Sequence, residues 1–261
     1  MKNNGAPLLL ARDIVMQFGG LKALNGVEVE ARNGEILGLI GPNGSGKTTF
    51  FNVTTGIYTP TSGSIEFKGK NIVGKSCQDI AKMGIIRTFQ TSRLWFDMSI
   101  IDNVLLGMYM REKPGLFTAV FRHRSIMNDF SEKIEEAKEV LSIFDPELAS
   151  NCYRKARDLS LVDRRRVEIC RAIVAEPVLL LLDEPAAGMY VSETQELMND
   201  IEKLKEEKGN IGVIVIEHDM MVISSIAQRV IVFNFGKKIA EGSYSEIKNN
   251  TEVREAYLGK S

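Results

Sequence analysis

The chain has 261 residues, enough for one large domain or two lobes around a substantial core. Apolar residues make up 44%, charged residues 26%, and the formal net charge is -1. That balance is ordinary for a globular protein and gives no electrostatic reason to expect nucleic-acid or membrane-surface binding.

The opening "MKNNGAPLLLARDI" carries too short an apolar run for a signal peptide. "LLLARDIVMQF", "GVEVEARNGE", "EILGLIG" and "SIEFKG" read as short strands broken by Gly and Asn. After the third comes "GPNGSGKT", Gly41 to Thr48, which fits G-x-x-x-x-G-K-[ST]. An apolar strand precedes it and a helix start, "KTTFFNVTTG", follows, which is the context this motif requires. Glycines let the backbone wrap phosphate with its N–H groups inward, and the helix presents its positive end. Gly41, Pro42, Asn43, Gly44, Ser45, Gly46, Lys47, Thr48 and Thr49 are therefore candidates to hold nucleotide phosphates. Lys47 would reach the β- and γ-phosphates, and the Thr48 hydroxyl would ligate Mg²⁺. The plain alternative is an ordinary glycine-rich turn; at average glycine usage, a chance match somewhere in the chain is roughly one in a hundred.

Farther on, "IIRTFQ" reads as a strand ending in Gln90, whose amide can touch both Mg²⁺ and a water. Residues 91–175 are rich in helix formers, and "DFSEKIEEAKEVLSIF" shows helical spacing of its apolar residues. The next strand, "VLLLLDEP", ends in two acids. Asp183 would hold Mg²⁺ and Glu184 would polarise an attacking water, at the sheet edge where open α/β sheets bind ligands. Paired acids opening a helix are the plain alternative. "SETQELMNDIEKLKEE" reads as a helix, "IGVIVIEHD" as a strand ending at His218, and "RVIVFNFGKKIAEG" as a hairpin. His218 falls at the same sheet edge, within reach of a γ-phosphate, although a lone histidine is more often a surface or core residue.

The longest apolar run, "VLLLL" at 178–182, is strand-sized and far short of the roughly 18 residues of a membrane span. Cys77, Cys152 and Cys170 lack metal-ligand spacing and read as reduced thiols. Near-continuous apolar strands alternating with helices predict an α/β fold with a parallel sheet. The expected nucleotide-binding core is 1–90 and 176–261, interrupted by a helical lobe at about 91–175.

The order of these pieces resembles an ABC-transporter ATPase subunit over nearly the whole chain. Phosphate loop, Gln90, helical lobe, "LSLVDRRRVEICRAIVAEP", "LLLLDEP" and His218 follow in the family's sequence. The resemblance implies one ABC ATPase domain: a P-loop core, an N-terminal antiparallel β-subdomain and an inserted helical subdomain. It implies ATP and Mg²⁺ as ligands and Glu184, His218, Gln90 and Lys47 as catalytic residues. Thr48, Gln90 and Asp183 would be the metal ligands, and Phe18 in "MQFGGLKALNGV" the aromatic that stacks on adenine. It also implies a cytoplasmic subunit peripheral on the inner face of the cell membrane. Its partners would be a second ATPase subunit, two integral-membrane permeases and, indirectly, a substrate-binding protein, with no nucleic acid. "GIIRTFQTSRLWFDMSIIDNVLLG", "REKPGLFTAVFRHRSIMNDF", "LLLLDEPAAGM" and "EVREAYLGKS" are similar to the branched-chain amino-acid transporter ATPases. The nearest rival, a lipopolysaccharide-exporter ATPase, has a different segment around its glutamine and a shorter lobe.

One stretch departs from the family. The signature helix normally begins Leu-Ser-x-Gly-Gln and closes on ATP held by the partner subunit; here it reads "LSLVD". Ser160 is kept as the expected contact to the partner's ATP, Val162 replaces the glycine and Asp163 the glutamine. The Val162 side chain is expected to obstruct the approach to phosphate, and Asp163 to repel it. Tyr190 and Val191 stand where relatives have Asn and Pro. The degraded signature favours a heterodimer with a normal-signature partner. It leaves open a regulatory half-site subunit with weak or no hydrolysis.

Overall fold

Two β-sheets organise the first of the two units into which the chain divides, in a computed structural model that describes residues 6–89, 93–109 and 123–258. This unit comprises residues 1–90, 178–188 and 205–261. Its antiparallel sheet has the order β2-β1-β4-β5, built from β1 (Leu9–Phe18), β2 (Leu21–Ala31), β4 (Ser62–Phe67) and β5 (Lys70–Asn71). β1 buries Leu9, Ala11, Ile14 and Met16 and exposes Arg12, Asp13 and Gln17, as a sheet with one face on the core requires.

The second sheet has the order β10-β9-β3-β8-β7-β6. Its members are β3 (Ile36–Ile40), β6 (Ile85–Arg87), β7 (Leu179–Asp183), β8 (Gly212–Ile216), β9 (Arg229–Asn234) and β10 (Lys237–Gly242). All pairings are parallel except β9 with β10. Every residue of β3, β7 and β8 is buried, so these strands read as unbroken apolar runs rather than alternating ones. Burying each leucine of β7 contributes about 2 kcal/mol. The parallel register sends the carboxyl ends of β3, β6, β7 and β8 to one edge. The phosphate loop, Arg87, Asp183 and Glu217–His218 follow at that edge.

The second unit comprises 91–177 and 189–204. It is helical, with helices Ile100–Met108, His123–Phe144, Pro146–Ser150 and Leu161–Ile173. Ser99 and Asp102 form a reciprocal capping box that starts the first of these. Its core includes Ile100, Val104, Ala137, Leu141, Val167, Ile169 and Ile173. Cys152 and Cys170 are buried, Cys77 is exposed, and all three are free. Burial pushes the Cys170 thiol well above its ordinary range, which makes it inert. The Val191–Lys208 helix carries residues of both units.

Candidate nucleotide site

The loop between β3 and helix α1 (Lys47–Thr54) is shaped by its glycines. Gly41 has φ 149, and a Cβ there would lie 2.1 Å from the Phe233 carbonyl oxygen. Gly46, at φ 108, would bring a Cβ to 2.7 Å from the Ala23 carbonyl oxygen. Both positions need a left-handed backbone and exclude a side chain, so glycine is dictated. The result is a cavity of about 400 Å³ lined by Asn43 to Thr49, Glu184, Leu21 to Ala23, Phe235 and Gly236.

Lys47 is buried, and its Nζ donates to the Gly41 carbonyl at 2.6 Å and the Pro42 carbonyl at 3.1 Å. Burial lowers its pKa, against the opposing pull of Glu184, Asp183 and Glu217. An ammonium desolvated in this way is stabilised by an incoming anion. Glu184 sits at φ 47, a conformation unusual outside glycine, with its N–H donating to the Ile216 carbonyl at 2.9 Å. Such backbone strain persists only where the surroundings fix it, here β8 beside the end of β7.

Asp183 ends β7 and is 3% exposed. Its Oδ2 accepts from Arg87 Nη2 at 2.6 Å, while its Oδ1 is buried without a hydrogen-bond partner. Thr48 is exposed to the cavity. Among the described residues no group of three or more His, Cys, Asp or Glu forms a metal cluster. One carboxylate, one hydroxyl and the phosphates of a ligand suit a small hard cation that keeps part of its water shell.

Other candidates lie off the cavity wall. His218 follows β8 with its side chain 59% exposed and Nδ1 3.7 Å from Glu217. Phe18 closes β1, is 42% exposed and meets Tyr58 edge-on at 5.2 Å between ring centroids. The cavity-lining Leu21 pairs with Phe18 across the hairpin. Gln90 lies outside the described residues.

Ser160 belongs to the second unit and caps the Leu161–Ile173 helix. Its Oγ accepts from the Asp163 N–H at 3.1 Å and donates to Asp163 Oδ2 at 2.7 Å. Asp163 Oδ1 accepts from Arg166 Nη1 at 3.1 Å. The expected obstruction by Val162 needs correction. This residue is 5% exposed, so its isopropyl group faces inward and not toward a ligand. Asp163 likewise does not present a bare charge, because Arg166 faces it. What the stretch loses instead is the freedom of the Ser160 hydroxyl, which Asp163 engages.

Four residues escaped the sequence reading. Arg87 and Asn52 join Asp183 in one network, with Arg87 Nη1 donating to Asn52 Oδ1 at 2.7 Å. Glu217 is 1% exposed and accepts from the Ala186 N–H at 3.0 Å, fixing the chain just after Glu184. Burial pushes its carboxyl above the ordinary range despite that bond. Phe235 lines the cavity at φ 43 and is 86% exposed. Charged residues at the ends of apolar strands were the available signal for Arg87 and Glu217; nothing local marked Phe235.

Comparison with known proteins follows the same outline. A family described as ABC transporter matches residues 24–187, and one described as branched-chain amino acid ATP-binding cassette transporter matches 237–261. The chain is 42% identical over 255 residues to the high-affinity branched-chain amino acid transport ATP-binding protein LivG of Salmonella typhimurium, covering 98% of this chain and 99% of that protein. It is 37% identical to the high-affinity branched-chain amino acid transport ATP-binding protein BraF of Pseudomonas aeruginosa, with 98% of this chain and 99% of that protein covered. A crystal structure of a nucleotide-free ATP-binding cassette from an ABC transporter superimposes with a TM-score of 0.83 at 32% identity, covering 98% of this chain and 100% of the other. The ADP conformation of an ATP-binding cassette gives a TM-score of 0.83 at 29% identity, with the same coverage.

Proposed function

This chain belongs to the ABC transporter ATP-binding family, and on that premise we propose that it powers an importer of branched-chain or other hydrophobic amino acids by hydrolysing ATP. The carrying observation is one cavity that joins an intact phosphate loop to Glu184, with Asp183 just before it at the end of β7. Its likeness to LivG and BraF and the C-terminal match support the substrate class. They also disfavour the lipopolysaccharide-export and regulatory half-site readings.

The loop N–H groups and Lys47 would hold the β- and γ-phosphates, Lys47 exchanging the Gly41 and Pro42 carbonyls for phosphate oxygens. Thr48, Asp183 and Gln90 would hold Mg²⁺, which neutralises charge on the phosphates when bound. Glu184 polarises a water whose oxygen attacks the γ-phosphorus in line as the bond to the β–γ bridging oxygen breaks. The proton of that water passes toward the Glu184 carboxylate. His218 lies one strand over and is assigned to the γ-phosphate, and Phe18 to the adenine.

No helix among the described residues is long and apolar enough to cross a membrane. On the likeness to LivG and BraF, membrane passage is assigned to separate permease subunits, with this chain docked at the inner face. A second ATP-binding subunit would complete the head-to-tail pair, with Ser160 presented to the partner's ATP. The deciding experiment is calorimetric binding of Mg-ATP to the purified chain and to Lys47→Ala. The variant should lose about one to two orders of magnitude in affinity, as expected for losing a charge-assisted phosphate contact. Unchanged binding would remove the phosphate-site assignment.

A further inference from the structure

Behind the phosphate loop lies a guanidinium to which neither the motifs nor the family match gives a role. Arg87 ends β6, and its ion pair with Asp183 is buried, with side chains 5% and 4% exposed. One arm, Nη2, donates to Asp183 Oδ2 at 2.6 Å. The other, Nη1, donates to Asn52 Oδ1 at 2.7 Å. The guanidinium carbon stands 5.4 Å from the Phe51 ring and 5.0 Å from the Phe89 ring. A planar fork so held by two hydrogen bonds and two aromatic neighbours has little freedom to rotate.

The positions of its partners are what matter. Asn52 lies four residues after Thr48 on α1, on the same helical face one turn on. Asp183 is the buried carboxylate at the end of β7. Arg87 thus connects the helix carrying one proposed Mg²⁺ ligand to the strand carrying the other. It occupies Oδ2 of Asp183 and leaves Oδ1 without a protein partner. Stability does not account for the arrangement. Buried ion pairs often stabilise a fold no better than apolar side chains of equal volume, and Arg87 Nε is itself buried without an acceptor.

We propose that Arg87 is a positioning residue for the metal of the nucleotide site: it fixes the Asp183 carboxylate in one orientation, with Oδ1 offered to the metal's coordination shell, and sets the distance from that carboxylate to Thr48. The inference rests on the ATP-site reading above and extends it to a residue that touches neither nucleotide nor metal. It predicts a defect in metal affinity separate from nucleotide affinity.

The test uses the full chain and the variants Arg87→Met, Arg87→Lys and Asn52→Ala. Nucleotide affinity is measured in chelator, without divalent metal. Mn²⁺ affinity of the ATP-loaded protein is measured by electron paramagnetic resonance. Arg87→Met should leave metal-free ATP affinity within about 2-fold of the parent and weaken Mn²⁺ by about 10-fold, the order expected for a partner of a metal ligand. Arg87→Lys should recover part of the Mn²⁺ affinity, because it keeps the charge but loses the fork. Asn52→Ala should weaken it less. If Arg87→Met does not fold, the ordering of Arg87→Lys and Asn52→Ala below the parent decides the matter. Unchanged Mn²⁺ affinity in the folded variants overturns the proposal. So does tighter Mn²⁺ binding, which would make Arg87 a competitor of the metal. Lys47→Ala separates the two levels: if it loses ATP while the Arg87 variants keep their metal affinity, the site stands and this role for Arg87 falls.

Discussion

Arg166→Met perturbs the point in the second unit where, among the described residues, one arginine faces four carboxylates. Arg166 Nη2 lies 2.6 Å from Glu196 and 2.9 Å from Asp200, and Nη1 lies 3.1 Å from Asp163 and 3.8 Å from Asp145. Glu196 is 56% exposed, so its pair contributes little. Asp200 is different. Its side chain is 3% exposed, and without Arg166 its nearest cation is the exposed Lys203 at 3.8 Å. Leaving a buried carboxylate uncompensated costs about 3–5 kcal/mol. At roughly 2–4 °C per kcal/mol for a chain of this size, the melting midpoint should fall by roughly 6–20 °C.

The pH dependence gives a second check. Burial holds the Asp200 carboxyl above its ordinary range, against the pull of Arg166. Removing Arg166 raises it further. A raised carboxyl binds its proton more tightly in the folded state than in the unfolded chain, so it favours folding below its ordinary value and loses that contribution as pH climbs through the raised one. The deficit of Arg166→Met should therefore be smaller at pH 5 than at pH 7.5. Adding Asp200→Asn should restore most of the stability at the higher pH. Thermal or urea melts of the three variants decide it; a midpoint within ~2 °C of the parent at pH 7.5 would refute the reasoning.

Glu184→Gln should lower ATP turnover of the assembled complex by about 10²–10⁴-fold while ATP binding persists and ATP-bound dimers accumulate; equal turnover would take Glu184 out of the chemistry. Phe235→Gly should raise the unfolding free energy by about 0.5 kcal/mol, since release of left-handed strain at φ 43 outweighs glycine's entropy, whereas Phe235→Val should lower it; urea melts that rank the two the other way would contradict the strain assignment. Val162→Gly with Asp163→Gln should free the Ser160 hydroxyl and raise ATPase activity. In a heterodimer the gain belongs to the ATP held by the partner's phosphate loop, which is measured with each subunit's general base disabled in turn. Absence of gain at either site would remove the basis for a heterodimer.

The phosphate loop was legible because its signal is local: fixed glycine spacing, a lysine and flanking elements within a few residues. Asp183 and Glu184 were legible because an apolar run ends abruptly in charge. Arg87 was not, since its partners Asn52 and Asp183 are 35 and 96 residues away and meet it only through sheet order. Val162 is a different case. Val162, Arg166, Ile169 and Ile173 recur at helical spacing and all are buried, so the inward phase was present in the pattern. The family's glycine at this position marks a ligand contact, whereas the helical phase turns residue 162 inward here. The left-handed Phe235 could not be read, because Asn-Phe-Gly permits several turns and only the packed neighbours select this one.

The Phe235–Gly236 turn also determines the sign of a dipole. The Gly236 N–H donates to the Ser45 carbonyl at 2.9 Å, and the Gly236 carbonyl accepts from the Asn25 N–H at 2.8 Å. A peptide unit is planar and trans, so its C=O and N–H point in opposite directions. Anchoring the Ser45 oxygen on Gly236 therefore orients the hydrogen of Gly46 the other way. A flip of that single plane would exchange a donor for an acceptor at one point of a loop whose remaining N–H groups and lysine attract anions. The strand that follows, β10, carries no catalytic group, yet through this one main-chain bond the hairpin holds the polarity of the loop before any nucleotide arrives.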